Sequence, residues 1–325
     1  MTDLHIDAAL LSDVGRKRSM NQDCGLIGHG LFLVCDGMGG GVAGQEASSR
    51  TLQRFDALAQ QPTRSKEMIG ATFETAQQET LRLGAEYGGV AGTTATGLIL
   101  ADASALADAA DDDDGFGFHQ RLGHEAGDGN VWYVVNVGDS RTYHLDRTPD
   151  GSAWEASSLV QITRDHSRRQ EVIDTGAMLP ELAEQLVPRN IITQCVGAPE
   201  GIEPDFFRAD LTGRFIVCSD GLHSEIDNAS IAAIAAAHET PQDAVNALVA
   251  AALDAGGRDN VTVIVVDVTG SDGHGEVTAD DGIAGDDSWS YVKIAHNEDI
   301  FDVDDSTLDT LRTVTARSNA GQNGK

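Results

Sequence analysis

Three aspartates stand next to short apolar segments, where buried strands would hold their carboxylates rigidly. Asp36 follows the run 32–35, Asp220 follows 215–219, and Asp259 comes just before 261–266. These β-branched, apolar runs predict buried strands. An Asp-Gly turn after a strand would explain one such aspartate. Three together favour a metal site, because carboxylates brought close repel one another unless a cation lies between them.

Composition limits the classes of protein to which the chain can belong. The 325 residues are 41% hydrophobic and carry a net charge of −30. No basic stripe is present, so we expect no nucleic-acid partner. No apolar run approaches the roughly 18 residues of a membrane helix, and residues 1–13 lack the basic residues of a signal peptide. The four cysteines show no C-x-x-C spacing and are predicted to be buried thiols of a cytoplasmic protein.

The elements that must position the aspartates follow from periodicity and from turn residues. We predict strands at 92–100, 131–137, 142–145 and 261–268, with 142–145 continuing a meander, and helices at 46–60, 65–87 and 229–255. An acidic, flexible loop at about 102–130 interrupts the meander, and 168–200 forms a surface flap. Hairpin order and paired helices favour antiparallel sheets covered by helices. The glycine-rich turn 37–44 matches neither G-x-x-x-x-G-K-[ST] nor G-x-G-x-x-G, the patterns of nucleotide-binding loops, so we expect no nucleotide site there.

The C-terminal region differs in composition from the rest of the chain. Residues 270–325 contain twelve acidic and four basic residues and lack periodic apolar spacing. The sequence therefore predicts a domain at 1–269 and a disordered acidic tail at 270–325. The apolar patch 289–294 within this tail is either a short docking motif or part of a solvated segment.

Seven motifs, in order and spacing, resemble the metal-dependent protein phosphatase 2C family over roughly residues 5–268. The bacterial branch, which opposes serine/threonine kinases, is the nearest match. The seven segments that carry the resemblance are 13–23, 34–40, 92–94, 137–141, 165–167, 219–222 and 259–260.

The resemblance implies an α+β, four-layer αββα sandwich, with two antiparallel sheets between two layers of helices. It also implies a binuclear Mn²⁺ or Mg²⁺ centre. In that centre Asp36 would bridge both ions, the carbonyl of Gly37 would bind one, and Asp220 and Asp259 would complete the other. Asp139 would help to hold a third, weaker ion. The residues agree with this, because oxygen-only ligands favour Mg²⁺ or Mn²⁺ over zinc.

The resemblance implies further roles near the metals. Arg18 would bind the substrate phosphate, and Asp23 would contact a metal ion or orient its water. Two positions depart from the family pattern. Met38 replaces a histidine proposed in some members to protonate the leaving group, so another acid must serve. Gln22 replaces a glutamate, which removes a negative charge and predicts weaker metal binding.

We therefore predict a cytoplasmic, monomeric serine/threonine phosphoprotein phosphatase, with phosphoprotein substrates and a cognate kinase. Two alternatives remain open: a phosphatase-like binding module and a metal-dependent hydrolase of small phosphoesters. Intact Arg18, Asp36, Asp220 and Asp259 disfavour the first. His166 is interpreted as a structural residue rather than a general base.

Overall fold

The computed structural model describes residues 4–39, 42–103, 118–122, 132–209, 212–270 and 292–294. The helices are α1 (Val42–Ala59), α2 (Lys66–Glu86), α3 (Arg168–Asp174), α4 (Pro180–Leu186), α5 (Asp220–His223), α6 (Asn228–Ala237) and α7 (Pro241–Ala255), with a 3-10 turn at Ala156–Ser158. The strands are β1 (Leu4–Asp13), β2 (Cys24–Gly28), β3 (Leu31–Cys35), β4 (Gly37–Met38), β5 (Gly92–Thr93), β6 (Ala95–Leu100), β7 (Phe118–Leu122), β8 (Trp132–Val137), β9 (Arg141–Leu145), β10 (Val160–Gln161), β11 (Asp205–Ala209), β12 (Gly213–Cys218), β13 (Val261–Gly270) and β14 (Val292–Ile294).

The strands form two large antiparallel sheets and one small one. The first sheet has the order β10-β9-β12-β13-β1-β7, and within 1–292 the second runs β11-β8-β6-β3-β2. The neighbouring strands pair antiparallel. β4 and β5 form the short third sheet.

Strand β13 shows why the apolar segments of the sequence have hydrophobic residues at successive positions, on both faces of the strand. Ile264 and Val266 belong to the core between the two sheets, together with Trp132 of the facing sheet. Val263 and Val265 alternate with them and pack in the cluster formed with α6 and α7. On the opposite side of the molecule α1 packs against β2 and β3. The layers are therefore helices, sheet, sheet and helices, as predicted.

Two sequence predictions about strand order were wrong. β9 does not continue a meander from β8, because β9 pairs with β12 and β10, whereas β8 pairs with β6 and β11. The chain changes sheets at Gly138, whose φ of 107° favours glycine. The acidic segment also contains strand β7, which pairs with β1. The rest of that segment lies outside the described residues.

A buried ion pair holds together the two strands next to the predicted ligands Asp220 and Asp259. Arg214 is fully buried and donates from Nε and Nη2 to the two carboxylate oxygens of Asp267, at 2.7 and 2.6 Å. The guanidinium also lies over the ring of Trp154 and donates to the Ala235 and His238 carbonyls. β12 and β13 are thereby locked to each other and to the end of α6.

The chain divides into two compact units, 1–292 and 293–325, and only residues 293 and 294 of the second are described. The predicted boundary at 269/270 and the disordered tail stay predictions, because 271–291 and 295–325 lie outside the described residues. No helix in the described part of the chain is both long and apolar enough to cross a membrane.

Candidate metal centre

Asp36 is held by its backbone at the point where β3 ends. The Thr94 amide and the Thr93 hydroxyl both donate to the Asp36 carbonyl, at 2.9 Å each, and the Asp36 amide donates to the Thr94 hydroxyl at 3.0 Å. This arrangement explains the Gly-Thr-Thr motif, since its two threonines fix the backbone beside the carboxylate.

The glycines that follow Asp36 and Asp220 are required by close backbone packing. A Cβ on Gly37 would lie 2.2 Å from the Gly44 carbonyl oxygen, and one on Gly221 would lie 1.9 Å from the Asn260 carbonyl oxygen. Both distances are far below van der Waals contact. The two Asp-Gly pairs therefore mark places where neighbouring segments converge, and Asp220 begins helix α5 instead of forming a turn.

Asn260 connects the N-terminal segment to the start of β13. Its side chain is buried, accepts a hydrogen bond from the Gln22 amide at 2.9 Å, and donates to the Val14 and Met20 carbonyls, each at 2.9 Å. The segment that carries Arg18 is thus fixed next to Asp259. Sequence reasoning assigned Asn260 no role, although the Asp-Asn dipeptide was part of the motif.

Asp23 is oriented by a buried hydroxyl. The Ser219 hydroxyl donates to Asp23 Oδ2 at 2.7 Å, and the Thr262 amide donates to the same hydroxyl at 3.0 Å. The aspartate is therefore joined to β12 and β13, although it lies 196 positions away from Ser219 in the sequence. Ser219 is a second residue whose function the sequence did not reveal.

Asp139 is buried, and its backbone carbonyl contacts an uncharged histidine, His223. His223 Nε2 lies 3.0 Å from the Asp139 carbonyl, which can only accept, so Nε2 donates. Burial lowers the pKa of His223 to about 3, so the ring is uncharged at neutral pH.

His166 accepts a hydrogen bond from the Gly138 amide at 3.2 Å, and its other ring nitrogen lies 3.3 Å from Asp205. These contacts support the structural interpretation of His166.

The carboxylates influence one another strongly. Burial, and then Asp23, Asp220, Asp139 and Asp259, raise the pKa of Asp36 well above its ordinary value. Burial is also the main cause that raises the pKa of Asp23 to about 7, of Asp139 to about 8 and of Asp220 to about 6. Asp220 and Asp259 add to this for Asp23. The predicted ligands therefore lie in one electrostatic cluster.

Three of these carboxylates have an oxygen that is buried and has no hydrogen-bond donor among the described residues: Asp23 Oδ1, Asp139 Oδ1 and Asp220 Oδ1. Buried polar atoms are normally paired, and a divalent cation would satisfy such oxygens. The residues therefore fit a Mg²⁺ or Mn²⁺ centre. Among the described residues, no group of three or more His, Cys, Asp or Glu side chains is arranged to bind one metal ion by itself. Water and the Gly37 carbonyl would have to complete the coordination.

Guanidinium groups line the accessible side of the cluster. The Arg18 side chain is 48% exposed, and its Nη2 donates to Asp259 Oδ2 at 2.7 Å. Arg189, which follows α4 in the flap, donates to the Ser224 carbonyl at 2.8 Å. Both cations act to lower the pKa of Asp220. Arg16 is occupied elsewhere, by Asp254 and the Leu253 carbonyl.

The two departures from the family pattern lie beside this cluster. Met38 is half-buried in β4 and offers no proton. Gln22 is buried. Its backbone carbonyl accepts hydrogen bonds from the Gly37 amide at 3.2 Å and from the Ser48 hydroxyl at 2.6 Å. Its side chain packs so closely on Gly44 that a Cβ there would lie 2.2 Å from Gln22 Nε2. Gln22 is thus a junction between the aspartate-bearing segment and α1.

Comparisons with known proteins agree with this geometry. No family model matches the chain. Protein phosphatase PhpP of Streptococcus pneumoniae is 30% identical over 281 residues, which are 82% of this chain and 99% of PhpP. Serine/threonine protein phosphatase PstP of Mycobacterium tuberculosis is 29% identical over 276 residues, 81% of this chain and 45% of PstP. The solved PstP catalytic domain in complex with two manganese ions has a TM-score of 0.63 at 27% identity, covering 82% of this chain and 99% of that domain. The chain belongs to the bacterial branch of the protein phosphatase 2C family and is a protein serine/threonine phosphatase.

Proposed function

We propose that this phosphatase hydrolyses phosphoserine and phosphothreonine in proteins at a binuclear Mn²⁺ or Mg²⁺ centre. Asp36, the Gly37 carbonyl, Asp220 and Asp259 would hold the two ions, and Asp139 would help to hold a third. The observation that carries the proposal is the carboxylate cluster, in which Asp23, Asp139 and Asp220 each have one buried oxygen without a donor among the described residues. The manganese complex of the PstP domain supports it.

When bound, the ions would supply Lewis-acid activation of water and neutralise charge on the phosphate. Arg18 would bind the phosphate oxygens, since its guanidinium is exposed and offers paired donors. It would exchange its contact with Asp259 for one with the substrate. Phosphoryl transfer requires chiefly such positioning and charge stabilisation.

Asp23 is placed to handle a proton. Its Oδ2 is fixed by Ser219, whereas its Oδ1 has no donor among the described residues. Burial, and then the neighbouring carboxylates, raise the pKa of Asp23 in the metal-free protein to about 7; bound cations would keep the group ionised and able to accept a proton. We therefore assign Asp23 Oδ1 to orienting the attacking water. Because Met38 offers no proton, another acid must protonate the leaving oxygen.

A phosphothreonine peptide tests the proposal. We expect release of phosphate with Mn²⁺ or Mg²⁺, loss of activity with EDTA, and loss of activity in Asp36→Asn. Asp56→Asn is the matched control, since Asp56 is an exposed residue on α1. Binding of the peptide without hydrolysis would instead indicate a binding module. Hydrolysis of only a small aryl phosphate would indicate a small-phosphoester hydrolase.

We also propose that the enzyme is a monomer and removes phosphates placed by a serine/threonine kinase. The family to which the chain belongs supports the kinase partner. An autophosphorylated bacterial serine/threonine kinase should lose its phosphate in the presence of the enzyme and Mn²⁺. Light scattering should give the mass of a single chain.

A further inference from the structure

Two free cysteines face each other across the strands that carry Asp23 and Asp36. Cys24 begins β2, Cys35 ends β3, and the register pairs these two residues directly. Residues opposed in an antiparallel pair have Cα atoms about 4.5–5.5 Å apart and side chains on the same face. Disulfides span Cα distances of about 4.4–6.8 Å. The sheet therefore holds two thiols within bridging distance.

The surroundings of the two thiols differ in a way that suits stepwise reaction. Cys35 is fully buried, whereas Cys24 is half-buried and is the accessible member of the pair. Both lie under α1, where the Ser48 hydroxyl is 3.6 Å from Cys24 Sγ. Burial raises the pKa of both thiols, which lowers the fraction of the reactive thiolate, so the peroxide must be supplied in excess.

A bond between these sulfurs would change the geometry next to the proposed metal centre. Opposed Cβ atoms lie about 4.5–5.5 Å apart, and a disulfide requires about 3.8 Å. Closure therefore draws β2 and β3 together by about 1 Å. Asp23 directly precedes Cys24, and Asp36 directly follows Cys35. A displacement of this size is enough to impair a catalytic site about 100-fold.

We propose that Cys24 and Cys35 form a reversible dithiol modification site, oxidised by a peroxide to a disulfide that weakens metal binding at the centre to which Asp36 belongs. Hydrogen peroxide first converts the Cys24 thiol to a sulfenic acid and releases water. The Cys35 sulfur then attacks the Cys24 sulfur, the S–O bond breaks, and a second water leaves with the Cys35 proton. Both thiols are oxidised, and the peroxide is reduced to water. The metal effect rests on the proposed function.

The test uses the purified full-length chain, free of metal, treated with hydrogen peroxide. Free thiols are blocked, the protein is digested without reductant, and linked peptides are identified by mass. We expect a Cys24–Cys35 link and Mn²⁺ affinity, measured by calorimetry, weaker by about tenfold or more, the scale at which disturbed ligand support acts. Dithiothreitol should restore both. Cys24→Ser should abolish the link and the effect on Mn²⁺ affinity, whereas Cys195→Ser, at another half-buried cysteine, should keep both.

Three results would overturn the proposal. The first is peroxide that modifies Cys195 while peptides containing Cys24 and Cys35 stay unlinked. The second is a quantitative link with unchanged Mn²⁺ affinity. The third is loss of affinity that persists in Cys24→Ser. Failure of the proposed function looks different: the reduced protein would bind Mn²⁺ without hydrolysing phosphopeptide, and the link and its effect on affinity would still be measurable.

Discussion

Replacing Asp220 by asparagine should stabilise the metal-free protein and abolish its response to Mn²⁺. Burial first, and then the charge of Asp259, raise the pKa of Asp220 from 3.8 to about 6. One pKa unit corresponds to about 1.4 kcal/mol. The ionised carboxylate thus destabilises the metal-free fold by at most about 3 kcal/mol, and solvent screening reduces this to about 1–3 kcal/mol.

The pH dependence of this effect has a definite sign. The pKa of Asp220 is higher in the folded than in the unfolded protein, so its destabilising effect is complete above about pH 6. The effect shrinks as the pH falls from 6 towards 3.8, and about half remains at pH 5. The stability gained by Asp220→Asn should therefore be largest at pH 8 and roughly halved at pH 5.

Thermal unfolding in EDTA at these two pH values measures the effect. For a chain of this size, 1–3 kcal/mol corresponds to a rise of about 2–5 °C in Tm at pH 8. Mn²⁺ at 100 times its Kd should stabilise the wild type by about 2.7 kcal/mol and leave the variant unchanged. The control Asp56→Asn removes the same charge at an exposed site and should change stability by less than about 0.5 kcal/mol.

A metal-free Asp220→Asn protein that is less stable than the wild type at pH 8 would contradict this prediction. In that case Asp220 would be stabilised by contacts that asparagine cannot replace, and these contacts would outweigh the cost of burying its charge. Stabilisation of the variant by Mn²⁺ to the wild-type extent would contradict the assignment of Asp220 as a ligand. The two results are independent, since the first is read without metal and the second with it.

Four further outcomes are expected. Arg18→Ala should mainly raise KM for a phosphopeptide, and Arg18→Lys should restore it only in part, because a point charge cannot make the paired contact; unchanged kinetics would move the phosphate site elsewhere. Gln22→Glu should lower the Mn²⁺ concentration for half-maximal rate, and a titration without such a shift would separate Gln22 from the metals. Gly221→Ala should abolish activity and lower Tm, since its Cβ would lie 1.9 Å from the Asn260 carbonyl oxygen; near-normal activity would refute the packing argument. A chain ending at Thr269 should fold and hydrolyse a small phosphoester at the full-length rate. Limited proteolysis that leaves residues 270–325 as protected as the core would show that this boundary is wrong.

The sequence predicted the features that arise from local patterns. Strand β13 is apolar at successive positions because Ile264 and Val266 face one layer while Val263 and Val265 face another. Such a run has few alternatives to a buried strand. Helices were also predicted within 229–255, where the structure has α6 and α7. Pro241 marks the start of α7 after α6 has ended.

The strand order could not be predicted in the same way. β8 and β9 are separated by a short turn, which is typical of a hairpin. The two strands nevertheless belong to different sheets, and the chain passes from one sheet to the other at Gly138, whose φ is positive. Residue spacing alone does not distinguish a hairpin turn from a crossing between layers. Strand β7 was missed because its acidic, glycine-rich flanks dominate the local composition.

The supporting residues of the site were missed for a different physical reason. Ser219 orients Asp23, and His223 binds the backbone of Asp139, through contacts between residues 196 and 84 positions apart. Neither side chain has a local pattern that indicates such a partner. Only the folded chain brings each donor to its acceptor, so the aspartates could be predicted from their strands but their orienting groups could not.

The packing of the Asp-Gly pairs brings the aspartates together before any ion binds. Gly37 and Gly221 allow two segments each to approach within distances that a side chain would block. This approach partly buries the aspartates beside them, and removal from water is the first cause of the raised pKa of Asp36 and of Asp220. The close packing thus destabilises the free carboxylates and increases their affinity for a cation. A change that loosens this junction should weaken metal binding and stabilise ionised carboxylates at the same time.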